Sequence, residues 1–236
     1  PKASEEAMNQ ATPTKPKKGD EQPFTPGVIA RLFPKPIISP EYNGANVTFR
    51  MKAPNASTVT LEYELSDKPL TMEKDSNGVW SIVLPNVADQ IFCYYFNVDG
   101  TQVCDPQNMY LAPEKGFKRS VAYGMQNKYY MYTSPKMKHG TVCYHYAEGT
   151  AEYTHPDTPE DAPTLTLVIG KNDTAESWMK IGNANSMADR LIEQGQCKPC
   201  RIVVAKEAGE GICLKADDFS NWPQRIEALE KALLAL

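Results

Sequence analysis

Histidine is scarce in this sequence, and it comes early. The chain has 236 residues and three histidines, His139, His145 and His155. No serine lies in a G-x-S-x-G frame anywhere. A triad on an α/β sheet takes its serine from such a strained turn, and its histidine follows nucleophile and acid in the chain. Neither part is found in these residues. Basic excess is also missing: the net charge is −4 and the pI about 5.5. This argues against general nucleic-acid binding, which needs a cationic footprint. No apolar run approaches the roughly 20 residues of a membrane span. The six cysteines, at 93, 104, 143, 197, 200 and 213, are too sparse for a disulfide-stapled small domain. One oxidised pair, Cys93 with Cys104, stays open because the two flank a hairpin. No cofactor and no metal are expected. The chain starts PKASEE without a signal peptide, leaving a cytosolic, processed or trimmed product open.

What is present is ordinary for a soluble globular chain: 41% hydrophobic and 23% charged residues. Residues 1–27 are rich in Lys, Pro, Glu, Gln and Thr without periodicity and read as a disordered tether. Its KPKK run is balanced by acids. Residues 28–126 turn to period two. NVTFRMKAP alternates Val47, Phe49 and Met51 against Thr48, Arg50 and Lys52. STVTLEYEL, KPLTMEK, GVWSIVL, QIFCYYFNV and TQVCD follow, bounded by Pro, Asn, Asp and Gly. The pattern predicts an antiparallel sandwich. Asp99-Gly100 signals a hairpin, since glycine tolerates the positive φ such a turn needs.

Residues 127–236 change again. TVCYHYA, PTLTLVIG and RIVVA read as strands. Residues 174–194 have helical spacing, with Trp178, Ile181, Met187, Leu191 and Ile192 on one face and Gly195 as the stop. A last helix is capped by Ser220 or Asn221, with Pro223 in its first turn and Ile226, Leu229, Leu233 and Leu236 as its stripe. Strand, helix, strand, helix predicts an α/β unit with parallel pairing.

Several stretches carry a resemblance. ISPEYNGANVTFRMKAPNASTVTLEYEL, LTMEKDSNGVWSIVL and YYFNVDGTQVCDPQN resemble the N-terminal early-set immunoglobulin-like domain of bacterial esterases of the feruloyl-esterase and esterase D type. KHGTVCYHY resembles their linker and first hydrolase strand. WMKIGNANSMADRLIEQGQCKPCRIVVA resembles the helix, turn and strand after their oxyanion loop. The likeness runs from about residue 38 to 205. It implies an early-set immunoglobulin-like β-sandwich followed by an α/β-hydrolase-like domain, an exported protein, and plant-polysaccharide esters as the relatives' substrates. It also bears on Cys197-Lys-Pro-Cys200. A thioredoxin-like pair follows a strand and opens a helix that lowers the thiol pKa. Here a helix precedes the pair and a strand follows it, so Lys198-Pro199 reads as a structural turn.

Against that family pattern the chain lacks nucleophile and late histidine. Its oxyanion loop, Ile169-Gly170-Lys171-Asn172-Asp173, has no His-Gly pair. The α/β part is about 110 residues, roughly half of a hydrolase domain. The expectation is a truncated, non-catalytic relative, with no catalytic residue assigned. A polysaccharide or oligosaccharide, or a protein, is the expected partner. An active feruloyl or acetyl ester hydrolase with an unconventional nucleophile is the alternative. Its candidate serines are Ser177, Ser186 and Ser220. The tyrosine-rich stretch supplies the candidate binding residues Tyr94, Tyr95, Tyr110, Tyr123 and Tyr130, with Tyr129 and Tyr132 beside them. Trp80 reads as core, Cys143 and His145 as a half-buried strand pair, and Asp173, Glu176 and Asp217-Asp218 as acids near helix starts. A half-sized sheet should either pack on the sandwich or be covered in a homodimer.

Overall fold

The computed structural model describes residues 36–124 and 136–236. The tether region, Tyr129, Tyr130 and Tyr132 lie outside the described residues. Ile37–Leu236 form one compact unit.

Nine strands make two antiparallel sheets around a common core. They are β1 (Glu41–Asn43), β2 (Asn46–Lys52), β3 (Val59–Tyr63), β4 (Leu70–Thr71), β5 (Glu73–Lys74), β6 (Val79–Leu84), β7 (Phe92–Val98), β8 (Thr101–Val103) and β9 (Ser120–Ala122). One sheet runs β1-β2-β6-β5; the other runs β4-β3-β7-β8, with β9 also on β7. KPLTMEK, read as one strand, divides at buried Met72: β4 pairs with β3 and β5 with β6. Alternation decides what is buried. Val47, Phe49, Trp80 and Leu84 from one sheet meet Val59, Leu61, Phe92, Tyr94 and Phe96 from the other. Each such apolar side chain contributes roughly 1.5–3 kcal/mol on full burial. Trp80 is a core residue, as its position on β6 implied, with its indole N–H donating to the Ala53 carbonyl at 2.9 Å. Asp99 and Gly100 have positive φ and join β7 to β8 as the hairpin.

A third sheet follows: β10 (Thr141–His145), β11 (Thr150–Thr154), β12 (Thr164–Val168), β13 (Arg201–Ala205) and β14 (Ile212–Lys215), in the order β10-β11-β13-β12-β14. β12 is parallel to both β13 and β14, while β10 and β11 are antiparallel additions. β11 and β14 went unread in the sequence. The chain passes from β13 to β14 through residues 206–211 alone, where a parallel crossover ordinarily takes a dozen or more residues. It crosses close to the sheet: a Cβ on Gly209 would lie 2.9 Å from the Thr166 hydroxyl.

The single helix expected over 174–194 is two helices, α1 (Ser177–Lys180) and α2 (Ala184–Glu193). They break at Gly182-Asn183. A Cβ on Gly182 would stand 2.6 Å from the Trp178 carbonyl oxygen and 3.2 Å from the Trp222 ring, and Asn183 is left-handed at φ 51°. Tight packing on Trp222 therefore overrides helical periodicity. Gly195 ends α2 at φ 67°. α3 (Trp222–Leu234) is capped by Asn221, whose side chain accepts from the Gln224 amide at 3.1 Å. Ile226, Leu229 and Leu233 are buried; Leu236 is half-buried.

The core under these helices does not stop at the third sheet. Cys93 of β7 and Val121 of β9, with Ile91 and Ala112 from the segments beside them, join Leu165, Leu167, Trp178, Ile202 and Trp222 in one cluster. Strand alternation explains it: Phe92, Tyr94 and Phe96 face one core, and Cys93 faces the other. Cys93 and Cys104 are both free thiols, so the disulfide considered between them is absent.

Candidate functional site

The parallel strands β12 and β13 end at Val168 and Ala205. In open α/β sheets ligands bind outside such carboxyl ends. A groove of about 570 Å³ lies there, lined among others by Leu111, Pro113, Tyr146, Ile169, Thr174 and Glu176. Its charged lining is four lysines, Lys115, Lys118, Lys180 and Lys206, against Glu176.

One wall is the segment before β9, held to the loop after β12 by main-chain bonds. The Lys115 amide donates to the Asn172 carbonyl at 2.8 Å, and Glu114 bridges to Asp173. The Thr174 and Ser177 hydroxyls donate to the Pro113 carbonyl at 2.6 and 3.2 Å. Across from it, Tyr146 donates to Glu176 at 2.8 Å and stacks on Tyr144 with ring centroids 5.8 Å apart. Lys180 pairs with Glu176 at 3.0 Å. Burial pushes the Glu176 carboxyl up, but the bonds from Lys180 and Tyr146 and the charges of Lys180 and Lys118 hold it below its ordinary value.

A charge knot anchors this wall from beneath. Asp173 is buried and accepts from the Gly170 amide at 3.0 Å and from Arg225 at 2.8 Å. Arg225 lies over the Trp222 ring at 4.6 Å. Arg119 binds Glu114 and, at 2.9 Å, Glu64. Burial raises the Glu64 pKa, with Arg119 opposing it. Asp173 thus ties three segments together and is not a dipole partner: α1 is one turn long and the carboxylate is committed to Arg225. Asp217 and Asp218 form a 3-10 turn, Ala216–Asp218, instead of flanking α3 directly.

Among the described residues, no serine, cysteine or histidine lines the groove. Ser177 is buried, its hydroxyl engaged with Pro113 and Thr174. Ser186 lies on α2 and Ser220 precedes the α3 cap. None of the three histidines lines the groove. His139 pairs with Asp189 at 3.0 Å, and Asp189 also accepts from Tyr153 at 2.6 Å. His155 is buried, and its Nδ1 accepts from the Asp157 amide. His145 and Cys143 are both exposed on β10, not half-buried as expected. Among the described residues no group of three His, Cys, Asp or Glu side chains could hold a metal ion, and no helix is long and apolar enough to cross a membrane.

The tyrosines separate. Tyr94 must be withdrawn as a binding residue: it is fully buried, edge-on to Phe49 at 4.6 Å, with its hydroxyl donating to Asp105 at 2.8 Å. The inward face of β7 leaves it no access. Tyr95 is half-buried, its hydroxyl on Glu62. Tyr110 and Tyr123 pack edge-to-face at 5.1 Å and line a smaller apolar hollow of about 310 Å³ with Ile38 and Met109. The Tyr123 hydroxyl donates to the Lys180 carbonyl, placing this pair beside the lysine groove. Tyr130 lies outside the described residues. The groove lysines were missed, because they come from separate segments with no shared motif.

Esterases are among the proteins this chain resembles. One curated relative is an endo-1,4-beta-xylanase/feruloyl esterase of Xylanibacter ruminicola, 27% identical over 200 residues covering 74% of this chain. This chain spans 27% of that protein's length. Among solved structures, an enterochelin esterase from Shigella flexneri overlaps 67% of this chain and 51% of its own at TM-score 0.44 and 13% identity. A ferric enterobactin esterase from Salmonella typhimurium overlaps 72% and 55% at TM-score 0.45 and 12% identity. No protein-family model matches the chain.

Proposed function

We propose that this chain is a non-catalytic relative of an exported carbohydrate esterase that binds a glycan through the groove at the ends of β12 and β13. In this reading an immunoglobulin-like sandwich buttresses an α/β-hydrolase-like sheet. The observation that carries it is the groove itself. It lies at the carboxyl ends of parallel strands, where ligands bind on open α/β sheets, and its described lining carries four lysines and a tyrosine but no serine, cysteine or histidine. Hydrolysis of an ester needs a nucleophile, a base within about 3 Å of it, and donors aimed at the developing oxyanion. Ser177, one residue after groove-lining Glu176, is buried with its hydroxyl on the Pro113 carbonyl. The polar and aromatic lining suits sugar hydroxyls and ring faces.

The test pairs glycan-array binding with hydrolysis of chromogenic feruloyl and acetyl esters on one purified sample. Saturable glycan binding without turnover is expected. Turnover that disappears in Ser177→Ala or Ser186→Ala would replace this reading with that of an unconventional esterase. Neither signal would favour a protein partner.

A further inference from the structure

We propose that the lysine-lined groove selects a carboxylate-bearing sugar chain, an oligosaccharide containing uronic acid residues. This rests on the glycan-binding reading above and narrows it to a ligand class.

The chain carries a net charge of −4, yet this groove gathers four lysines against one glutamate. The glutamate is already engaged by Lys180 and Tyr146. Among the described residues, Lys115, Lys118 and Lys206 form no ion pair at contact distance, although the charge of Lys118 reaches Glu176. Lys115 and Lys118 donate only to the main-chain carbonyls of Lys171 and Glu114. Ammonium groups collected in a cleft with apolar walls repel one another and focus a positive potential that a bound anion relieves. The anion is larger than a simple oxyanion, because the groove encloses about 570 Å³. Leu111, Ala112, Pro113 and Ile169 give it apolar floor area, and Tyr146, 71% exposed, presents a ring face. These suit pyranose faces. The lysines also arise from different parts of the lining: Lys115 and Lys118 before β9, Lys180 at the end of α1, Lys206 at the end of β13 beside Gly149. Single point charges so distributed match one charge per sugar ring better than one compact dianion, which bidentate arginines or a nest of amides would hold.

The experiment is calorimetric titration of the full 236-residue chain with tetragalacturonate, xylotetraose and tripolyphosphate. Tetragalacturonate should bind saturably and weaken as salt rises from about 0.05 to about 0.5 M. Xylotetraose should bind about tenfold more weakly or worse, the worth of two exposed ion pairs. Lys206→Glu and Lys115→Glu, both surface changes that leave thermal unfolding in place, should each weaken tetragalacturonate by about fivefold. Equal affinity for xylotetraose would overturn the acidic class while leaving the glycan reading standing. Tripolyphosphate binding as tightly as tetragalacturonate, or insensitivity to both lysine substitutions, would overturn the proposal. Binding of neither sugar would remove both readings.

Discussion

Asp173→Ala should be the most damaging single change near the groove. The Asp173 side chain is 7% exposed and that of its partner Arg225 is 14% exposed, at 2.8 Å. Removing one member of a buried pair strands the other charge and typically costs about 3–5 kcal/mol. The Gly170 amide loses its acceptor as well, which adds to the loss. Two features offset part of this. Arg225 keeps its place over the Trp222 ring, and Glu64 remains within its electrostatic reach. A net loss of about 3 kcal/mol follows. With an m-value near 2 kcal/mol/M, the urea midpoint falls by about 1.5 M. Intrinsic fluorescence reads it well, because Trp178 and Trp222 pack 5.6 Å apart in the same core. The double variant Asp173→Ala/Arg225→Met removes the stranded charge and should recover to within about 1 kcal/mol of the parent. A single-variant loss below about 1 kcal/mol, or a double variant less stable than the single, would refute the view that this pair braces the groove wall.

Three further outcomes are expected. Gly182→Ala forces a methyl against the Trp178 carbonyl and the Trp222 ring, neither free to retreat, and should cost about 2 kcal/mol in thermal unfolding; an unchanged melting temperature contradicts the tight packing described. Burial raises the Asp105 pKa above its ordinary 3.8 against the opposing bonds from Ser39, Gln107 and Tyr94. Its folded pKa is the higher one, so its contribution is full below 3.8 and is lost as pH rises through the folded value. The parent should therefore lose stability relative to Asp105→Asn as pH climbs from 3.8, and a pH-independent difference would count against this. The described thiols are free, so a disulfide-exchange reagent should label exposed Cys143 first and the fully buried Cys93 and Cys200 last, because both are shut from solvent and burial raises the Cys93 pKa; rapid labelling of Cys93 would mean that its core opens.

Local chain chemistry was readable where one residue's own preference sets the geometry. Period-two alternation through β2 and β6 reported which side chains turn inward. Asp99-Gly100 marked a turn because its positive φ is a property of those two residues. Asn221 and Pro223 announced the start of α3 for the same kind of reason, and Gly195 the end of α2. The order helix, Cys197-Lys-Pro-Cys200, strand was equally plain. What went unread depended on neighbours distant in sequence. ICLK becomes a strand through β12, about 50 residues away, and TAEYT is held between neighbouring β10 and β13, about 50 residues away. Residues 174–194 have one helical period, yet the approach of Trp222 breaks them in two. Tyr94 and Tyr95 are adjacent and chemically alike, and only the sheet face separates a core residue from a half-buried one. The groove is the extreme case. Lys115, Lys118, Lys180 and Lys206 carry no pattern along the chain, since charge has no local conformational signature. Their convergence exists only after the sheet that carries β7 and β9 packs a second face against the third sheet and its helices, bringing the end of β13 and the loop before β9 to one groove.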